Sequence, residues 1–143
     1  MRKLARLVLV GLTITWAHTA FGESFTQLIQ KWKEKYQIVL YEEVLLPPGP
    51  NGKIGVRFAS LDKKADLAAL VKECVVLYSK LYPNVWCYGY DNLKALERDV
   101  KGPESGGTIG VCWLYRAERV SGGNLEFFEN IPAILEINKC PRP

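Results

Sequence analysis

The chain has 143 residues but only one histidine, His18, and only one methionine, Met1. Both lie in an N-terminal segment that has the pattern of an export signal, so the domain that remains after its removal has neither. Their absence excludes Ser-His-Asp and Cys-His nucleophile arrangements, histidine-bound zinc or copper, and a histidine pH switch. Each of these needs the near-neutral pKa or the nitrogen lone pair of imidazole.

The N-terminal segment has the three parts of a secretory signal peptide. A positive start is followed by an apolar run over residues 7–17 and a small-x-small motif over 20–22. The apolar run is too short for a bilayer span, which needs about 20 residues. The sequence therefore predicts a signal peptide over 1–22 and a single domain over 23–143. We expect that domain to be periplasmic or secreted, with no membrane insertion after removal of the signal.

The positive charge of the chain belongs mostly to this signal. Three of the 19 Lys and Arg residues lie in it, but none of the 15 Asp and Glu residues do. The remaining domain has 16 basic and 15 acidic side chains, which leaves a net charge of +1. Such a small excess gives no reason to expect a nucleic acid as partner.

The domain has four cysteines, Cys74, Cys87, Cys112 and Cys140. An even number in an exported domain is typical of disulfides, here two with three possible connectivities. The closest pair is 13 residues apart. Zinc sites and thioredoxin-like redox sites need pairs as close as C-x-x-C. The sequence therefore predicts two structural disulfides, no metal and no cofactor.

Hydrophobic periodicity predicts two helices and about five strands. From Asp66 to Tyr82 the apolar residues recur at i, i+3, i+4 and i+7, which predicts a long amphipathic helix with Ser60 or Asp62 as its cap. A shorter pattern over residues 25–36 predicts an N-terminal helix. Strand patterns follow at 37–46, 53–59, 84–90, 108–117, and once or twice between 125 and 137.

The order of these elements predicts an α+β fold. The first two strands flank a Pro-Gly-Pro-Asn-Gly turn and should pair as a hairpin. The second strand, the long helix and the third strand form a β-α-β unit, which crosses over right-handedly. The expected architecture is a two-layer sandwich: an antiparallel or mixed sheet of about five strands, one long helix on one face, and an N-terminal helix.

The same geometry favours one cysteine pairing. Cys74 lies about 13 Å back along the helix from Pro83, at 1.5 Å per residue. Cys87 lies about 13 Å beyond Pro83 along the returning strand, so the two cysteines are level. This favours Cys74 with Cys87 and, by elimination, Cys112 with Cys140. The sequence leaves the other two connectivities open.

Aromatic residues are concentrated on one face of the predicted sheet. If Cys87 points at the long helix, its alternating neighbours Trp86, Tyr88 and Tyr90 point to the opposite face. If Cys112 also points inward, Val111, Trp113 and Tyr115 join them on that face. The N-terminal helix covers this face in one interpretation; in the other, part of it is open and binds a partner. The predicted ligand-binding residues are Trp86, Tyr88, Tyr90, Trp113 and Tyr115, with Val111 beside them.

No catalytic residue is predicted. Glu42 and Glu43 are neighbours on a strand and point to opposite faces. Asp62 and Asp66 stabilise a helix start, and Asp91 suits the cap of a short helix. Two arginines near the end of an aromatic strand could clamp an anion but are more typical of solvated edge positions; these are Arg116 and Arg119.

The resulting functional hypothesis is an exported binding module that recognises a protein or cell-envelope ligand, for instance as an inhibitor or immunity-type protein. One alternative is a histidine-independent envelope hydrolase or lyase, which requires a tyrosine and two converging carboxylates. The candidates for these are Glu42, Asp91, Glu104, Glu118 and Glu126. Another alternative is a structural or assembly component of a surface structure.

Overall fold

A computed structural model describes residues 23–102 and 111–143 of the chain. The elements, in chain order, are α1 (Phe25–Tyr36), β1 (Ile38–Leu46), β2 (Lys53–Ser60), α2 (Leu67–Tyr78), β3 (Asn84–Tyr90), α3 (Leu93–Lys101), β4 (Tyr115–Arg119), β5 (Glu126–Glu129) and α4 (Pro132–Ile137). The predicted signal peptide, Glu104 and the start of the predicted strand over 108–117 lie outside these ranges. No helix within them is long and apolar enough to cross a membrane.

The five strands form one mixed sheet in the order β1-β2-β3-β4-β5. Strands β2 and β3 are parallel, and the other neighbours are antiparallel. Helix α2 connects the parallel pair, and β1 and β2 form the expected hairpin. The α+β fold class predicted from the sequence is therefore confirmed.

Two helices of equal length, α1 and α2, each have 12 residues. The sequence pattern predicted a longer second helix capped by Ser60 or Asp62. The cap is Asp66, whose side chain accepts the Ala69 N–H at 3.2 Å, because the Ser60 hydroxyl instead donates to the Tyr36 carbonyl at 2.6 Å. The cap sets the first turn of α2 at Leu67.

Helices α1 and α2 cover the same side of the sheet, which we call the first face. Trp32 of α1 packs edge-on against Phe58 at 5.1 Å between ring centroids. Both residues are buried, with Val56, Val71, Cys74 and Cys87, in the larger of two hydrophobic clusters.

The interpretation in which α1 covers the opposite, aromatic face is therefore wrong. Gln37 ends α1 in a left-handed conformation, with φ of 50°. Ile38 begins β1 and is already buried in the first-face cluster. The chain thus has only Gln37 between α1 and β1, which is too short a connection to pass around the edge of the sheet.

The opposite side, the second face, has a smaller cluster of its own. Helix α3 packs Ala95 and Leu96 against Ala59 and Tyr90 of the central strands. The cap of α3 is Asn92, which accepts the Ala95 N–H at 2.9 Å, and not the neighbouring Asp91 as the sequence predicted. Helix α3 covers one end of the second face only.

The disulfides join Cys74 to Cys87 and Cys112 to Cys140, with Cα separations of 6.2 and 5.4 Å. This is the pairing that the helix and strand geometry favoured. The first bridge ties α2 to β3, and the second ties the chain before β4 to the chain after α4. Two disulfides indicate an oxidising, extracellular environment.

The last third of the chain departs from the predicted strand pattern. Strand β4 begins only at Tyr115. The segment before it is held by the Asn130 side chain, which donates to the carbonyls of Val111 and Trp113 at 2.9 and 3.1 Å. Strand β5 ends at Glu129, and Pro132 starts α4, a position at which proline is favoured.

Candidate functional site

One row of side chains on the second face takes one residue from each of the five strands and alternates aromatic rings with arginines. The strand register pairs each member with the next: Tyr41, Arg57, Tyr88, Arg116 and Phe128. Register partners point to the same face, so the five side chains lie side by side over roughly 19 Å, at about 4.8 Å per strand. We call this row the aromatic–arginine ladder.

The two arginines of the ladder lie over its rings. The guanidinium carbon of Arg57 is 5.0 Å from the centroid of the Tyr88 ring. That of Arg116 is 4.2 Å from the Phe128 ring and 5.4 Å from the Trp113 ring. These distances are within the range of cation–π attraction. The guanidinium groups are therefore held in place before any ligand arrives.

Each ladder arginine also has a carboxylate beside it. Glu43 lies 3.4 Å from Nη1 of Arg57, but 61% of the Glu43 side chain is exposed. Glu118 lies 3.2 Å from Nε of Arg116. The exposed pair of Arg57 with Glu43 is weak and exchanges readily with other partners. The pair of Arg116 with Glu118 is better shielded, with side chains only 27% and 16% exposed. The ladder thus offers hydrogen-bond donors and acceptors next to aromatic surface.

A second row of residues runs beside the ladder and contains an open position. Its members are Glu43, Gly55, Trp86, Glu118 and Glu126. A Cβ atom added to Gly55 would meet nothing within 4 Å, so there is free space beside Trp86. Glu118 and Glu126 are direct register partners, an unfavourable arrangement for two like charges. The second row is shallow and acidic, whereas the ladder is aromatic and basic.

A buried polar group holds α3 beside the ladder. The Tyr90 hydroxyl donates to Oδ2 of Asp99 at 2.8 Å, and the Cys112 N–H donates to the same oxygen at 2.9 Å. Burial is the main cause that raises the pKa of Asp99, although both hydrogen bonds oppose it. Burial, and after it the nearby Asp99, also raises the pKa of Tyr90. This hydroxyl therefore keeps its proton and stays a hydrogen-bond donor. The group positions α3 beside the ladder, and Asp99 lines one cavity with Tyr41 and Arg57.

The structure brings together three of the five predicted binding residues. Trp86, Tyr88 and Trp113 lie partly exposed on the second face, and the rings of Tyr88 and Trp113 are 6.2 Å apart. Tyr90 points the same way but is fully buried. Tyr115 lies on the first face and stacks on Phe127 at 5.7 Å. The expectation for Tyr115 is wrong because Cys112 does not point at the long helix but is buried in the second-face cluster.

The sequence interpretation missed most of the ladder. The sequence patterns do not point to Tyr41, Arg57 or Phe128 as binding residues, and they favour an edge position for Arg116. The hairpin turn between β1 and β2 fixes which residues of those strands are paired, so it held a signal for Tyr41 and Arg57. Nothing comparable in the sequence points to Phe128.

The carboxylates proposed for an enzyme do not all meet. Glu42 accepts a hydrogen bond from the Tyr78 hydroxyl on the first face. Glu118 and Glu126 lie on the second face, and Asp91 lines a small cavity beside Cys140. Within residues 23–102 and 111–143, no group of three or more potential metal ligands occurs.

No protein-family model matches the chain, and no significant match exists among curated proteins or solved structures.

Proposed function

We propose that this chain is an exported binding module, periplasmic or secreted, which recognises a protein or cell-envelope ligand through the aromatic–arginine ladder. One observation carries the proposal: aromatic and arginine side chains alternate across all five strands on a face that α3 covers only at one end. An inhibitor or immunity-type protein is the kind of module that fits this description.

The composition of the ladder supports a binding role. Tyrosine, tryptophan and arginine are the residues enriched among those that dominate binding energy at protein interfaces. Arg57 and Arg116 are stacked on rings, so less side-chain entropy is lost when a partner binds them. A planar guanidinium also binds a carboxylate through two hydrogen bonds. A partner with acidic groups between apolar ones would match the ladder.

The proposal is tested by capturing partners from a periplasmic extract with the purified domain. The test variant is Arg57→Gln with Arg116→Gln, which keeps polar side chains but removes both guanidinium groups. Arg142→Gln, at an exposed position near the C-terminus, is the matched control. We expect saturable binding by wild type and control, weakened at least about tenfold in the double variant. Equal binding by all three proteins, or no saturable partner, would contradict the proposal.

A histidine-independent hydrolase or lyase is the second candidate, because Glu118 and Glu126 are register partners on the face that also has Tyr88. It ranks below binding because Glu118 is already paired with Arg116. Turnover of an envelope glycan or peptide that is lost in both Glu118→Gln and Glu126→Gln would favour it.

A structural component of a surface structure is the third candidate. Strand β1 is at one edge of the sheet, and Val44, Leu45 and Leu46 at its end are exposed. Exposed apolar edges favour pairing with other chains. Self-association in light scattering would support this role, and a monomer at high concentration would count against it.

A further inference from the structure

Three connections meet at one end of the sheet and line a cavity of about 580 Å³ that is open to solvent. The β1–β2 connection contributes Pro48 to Pro50, the α2–β3 connection contributes Ser79 to Pro83, and the β4–β5 connection contributes Gly122. Arg119, the last residue of β4, completes the lining. This volume is in the range of small-molecule sites, roughly 300–1,000 Å³.

Hydrogen bonds between the three connections fix the walls of this cavity. The buried side chain of Asn84 donates to the Gly52 carbonyl at 3.1 Å and accepts the Ser121 N–H at 3.0 Å. The Gly49 N–H donates to the Leu81 carbonyl at 3.3 Å. The walls therefore keep their positions without a ligand, as a preorganised site requires.

The charged groups of the cavity are both positive. Lys80 and Arg119 line it, and no lining residue is acidic. Neither makes an ion pair with an acidic side chain of the described ranges. Most other lining residues are apolar or aromatic: Pro48, Pro50, Leu81, Tyr82 and Pro83. A ligand that fits this lining has a negative group attached to an apolar body.

Two buried donors of the lining lack partners among the described residues. These are Nε of Arg119 and the hydroxyl of Ser79. A buried donor without an acceptor is unfavourable. Charge-assisted hydrogen bonds from a guanidinium to a carboxylate are among the strongest in proteins.

A purely structural role for Arg119 would be to neutralise the negative end of α2. Three of the last four carbonyls of that helix are already satisfied, however. Those of Val75, Leu77 and Tyr78 accept N–H groups from the residues that follow the helix. The arginine is therefore available for a ligand.

We infer that this cavity is a second site, separate from the aromatic–arginine ladder, which binds a carboxylate carried on an apolar group. Two sources have this chemistry: a free organic acid, and the C-terminus of a polypeptide that ends in an apolar residue. The inference does not depend on the ladder, and its failure would leave the proposed function unchanged.

The test is an NMR titration of the ¹⁵N-labelled domain with 4-phenylbutyrate and with N-acetylphenylalanine, each compared with its neutral amide. We expect saturable shifts confined to the amides of Gly49, Lys80 and Gly122, with the carboxylates binding at least about tenfold more tightly than the amides. Tighter binding of N-acetylphenylalanine identifies a polypeptide C-terminus as the source, and tighter binding of 4-phenylbutyrate a free acid. Shifts spread over the surface, or equal binding of acid and amide, would overturn the inference.

Substitutions test whether Arg119 and Lys80 cause the tighter binding of carboxylates. Arg119→Gln and Lys80→Gln should each weaken carboxylate binding at least about tenfold and leave amide binding unchanged. Lys94→Gln, at an exposed position on α3, is the control and should change neither. Because Lys80 is exposed, its variant tests the site even if Arg119→Gln does not fold. If Lys80→Gln binds the carboxylates as tightly as wild type, the inference fails.

Discussion

Arg57 and Tyr88 are register partners on the parallel strands β2 and β3, and the guanidinium carbon of Arg57 lies 5.0 Å from the centroid of the Tyr88 ring. This contact is at the centre of the aromatic–arginine ladder. If the ladder serves binding, its contribution to stability should be modest. A part-exposed cation–π contact is worth about 0.5–1 kcal/mol, and the ion pair with Glu43 adds little.

Arg57→Gln should therefore lower the free energy of unfolding by about 1 kcal/mol or slightly more. Urea denaturation at pH 7 measures this change directly. A loss of more than about 3 kcal/mol would show that Arg57 is needed mainly to hold the sheet together, as is usual for a broken buried ion pair.

Trp32→Ala should be much more damaging. Trp32 is 3% exposed and packs on Phe58 in the first-face core, and such truncations cost about 3–5 kcal/mol. The control is Val76→Ala, at an exposed position on α2, which should change the free energy of unfolding by less than about 0.5 kcal/mol. Similar values for the two variants would mean that α1 does not contribute to the core.

Removal of either disulfide should destabilise the domain. The chain-entropy model gives about 3 kcal/mol for the bridge between Cys74 and Cys87 and about 3.5 kcal/mol for the longer loop between Cys112 and Cys140. Thermal unfolding of each double Cys→Ala variant measures the loss. In the oxidised wild type we expect no thiol labelling, and modification of any of the four residues in folded, non-reduced protein would contradict the pairing.

Asp99 should give the domain a distinctive pH dependence. Burial raises its pKa above the ordinary value of 3.8, so between that value and the raised pKa the folded state binds more protons than the unfolded state. The contribution of Asp99 to stability then falls as pH rises through this window. In Asp99→Asn this fall is absent, because the amide does not ionise.

The measurement is the free energy of unfolding of wild type and Asp99→Asn in steps from pH 3.5 to about pH 7. The variant should gain stability relative to wild type as pH rises, and the difference should level off above the raised pKa. A relative loss with rising pH would mean that the hydrogen bonds from Tyr90 and Cys112 lower the pKa of Asp99 more than burial raises it.

Hydrophobic periodicity predicted the helices and strands in which it is clear, and with them the disulfides whose geometry depends on those elements. Strand β3 has the expected bounds, Asn84–Tyr90. The pairing of Cys74 with Cys87 followed from two lengths measured from Pro83, because helix rise and strand rise are fixed by backbone geometry.

The sequence predicted less well which helices and side chains lie on which face of the sheet. The apolar stripe of α1 requires a sheet face to cover but does not specify which one, and the single residue Gln37 between α1 and β1 decided it. Likewise, local pattern does not specify that Cys112 is buried on the second face, which leaves Tyr115 on the first. The ladder depends on the register of all five strands at once, and the sequence suggested register at the β1–β2 hairpin alone.

The most direct test of the binding role is site-specific photo-crosslinking in cells that export the protein. A benzoylphenylalanine replaces Tyr41, the exposed aromatic end of the ladder, or Val76 on α2 as the control. We predict a discrete adduct from position 41, abolished when Arg57→Gln and Arg116→Gln are added, and none from position 76. The same adducts from both positions, or an adduct at 41 that persists without the two arginines, would contradict a partner-binding role for the ladder.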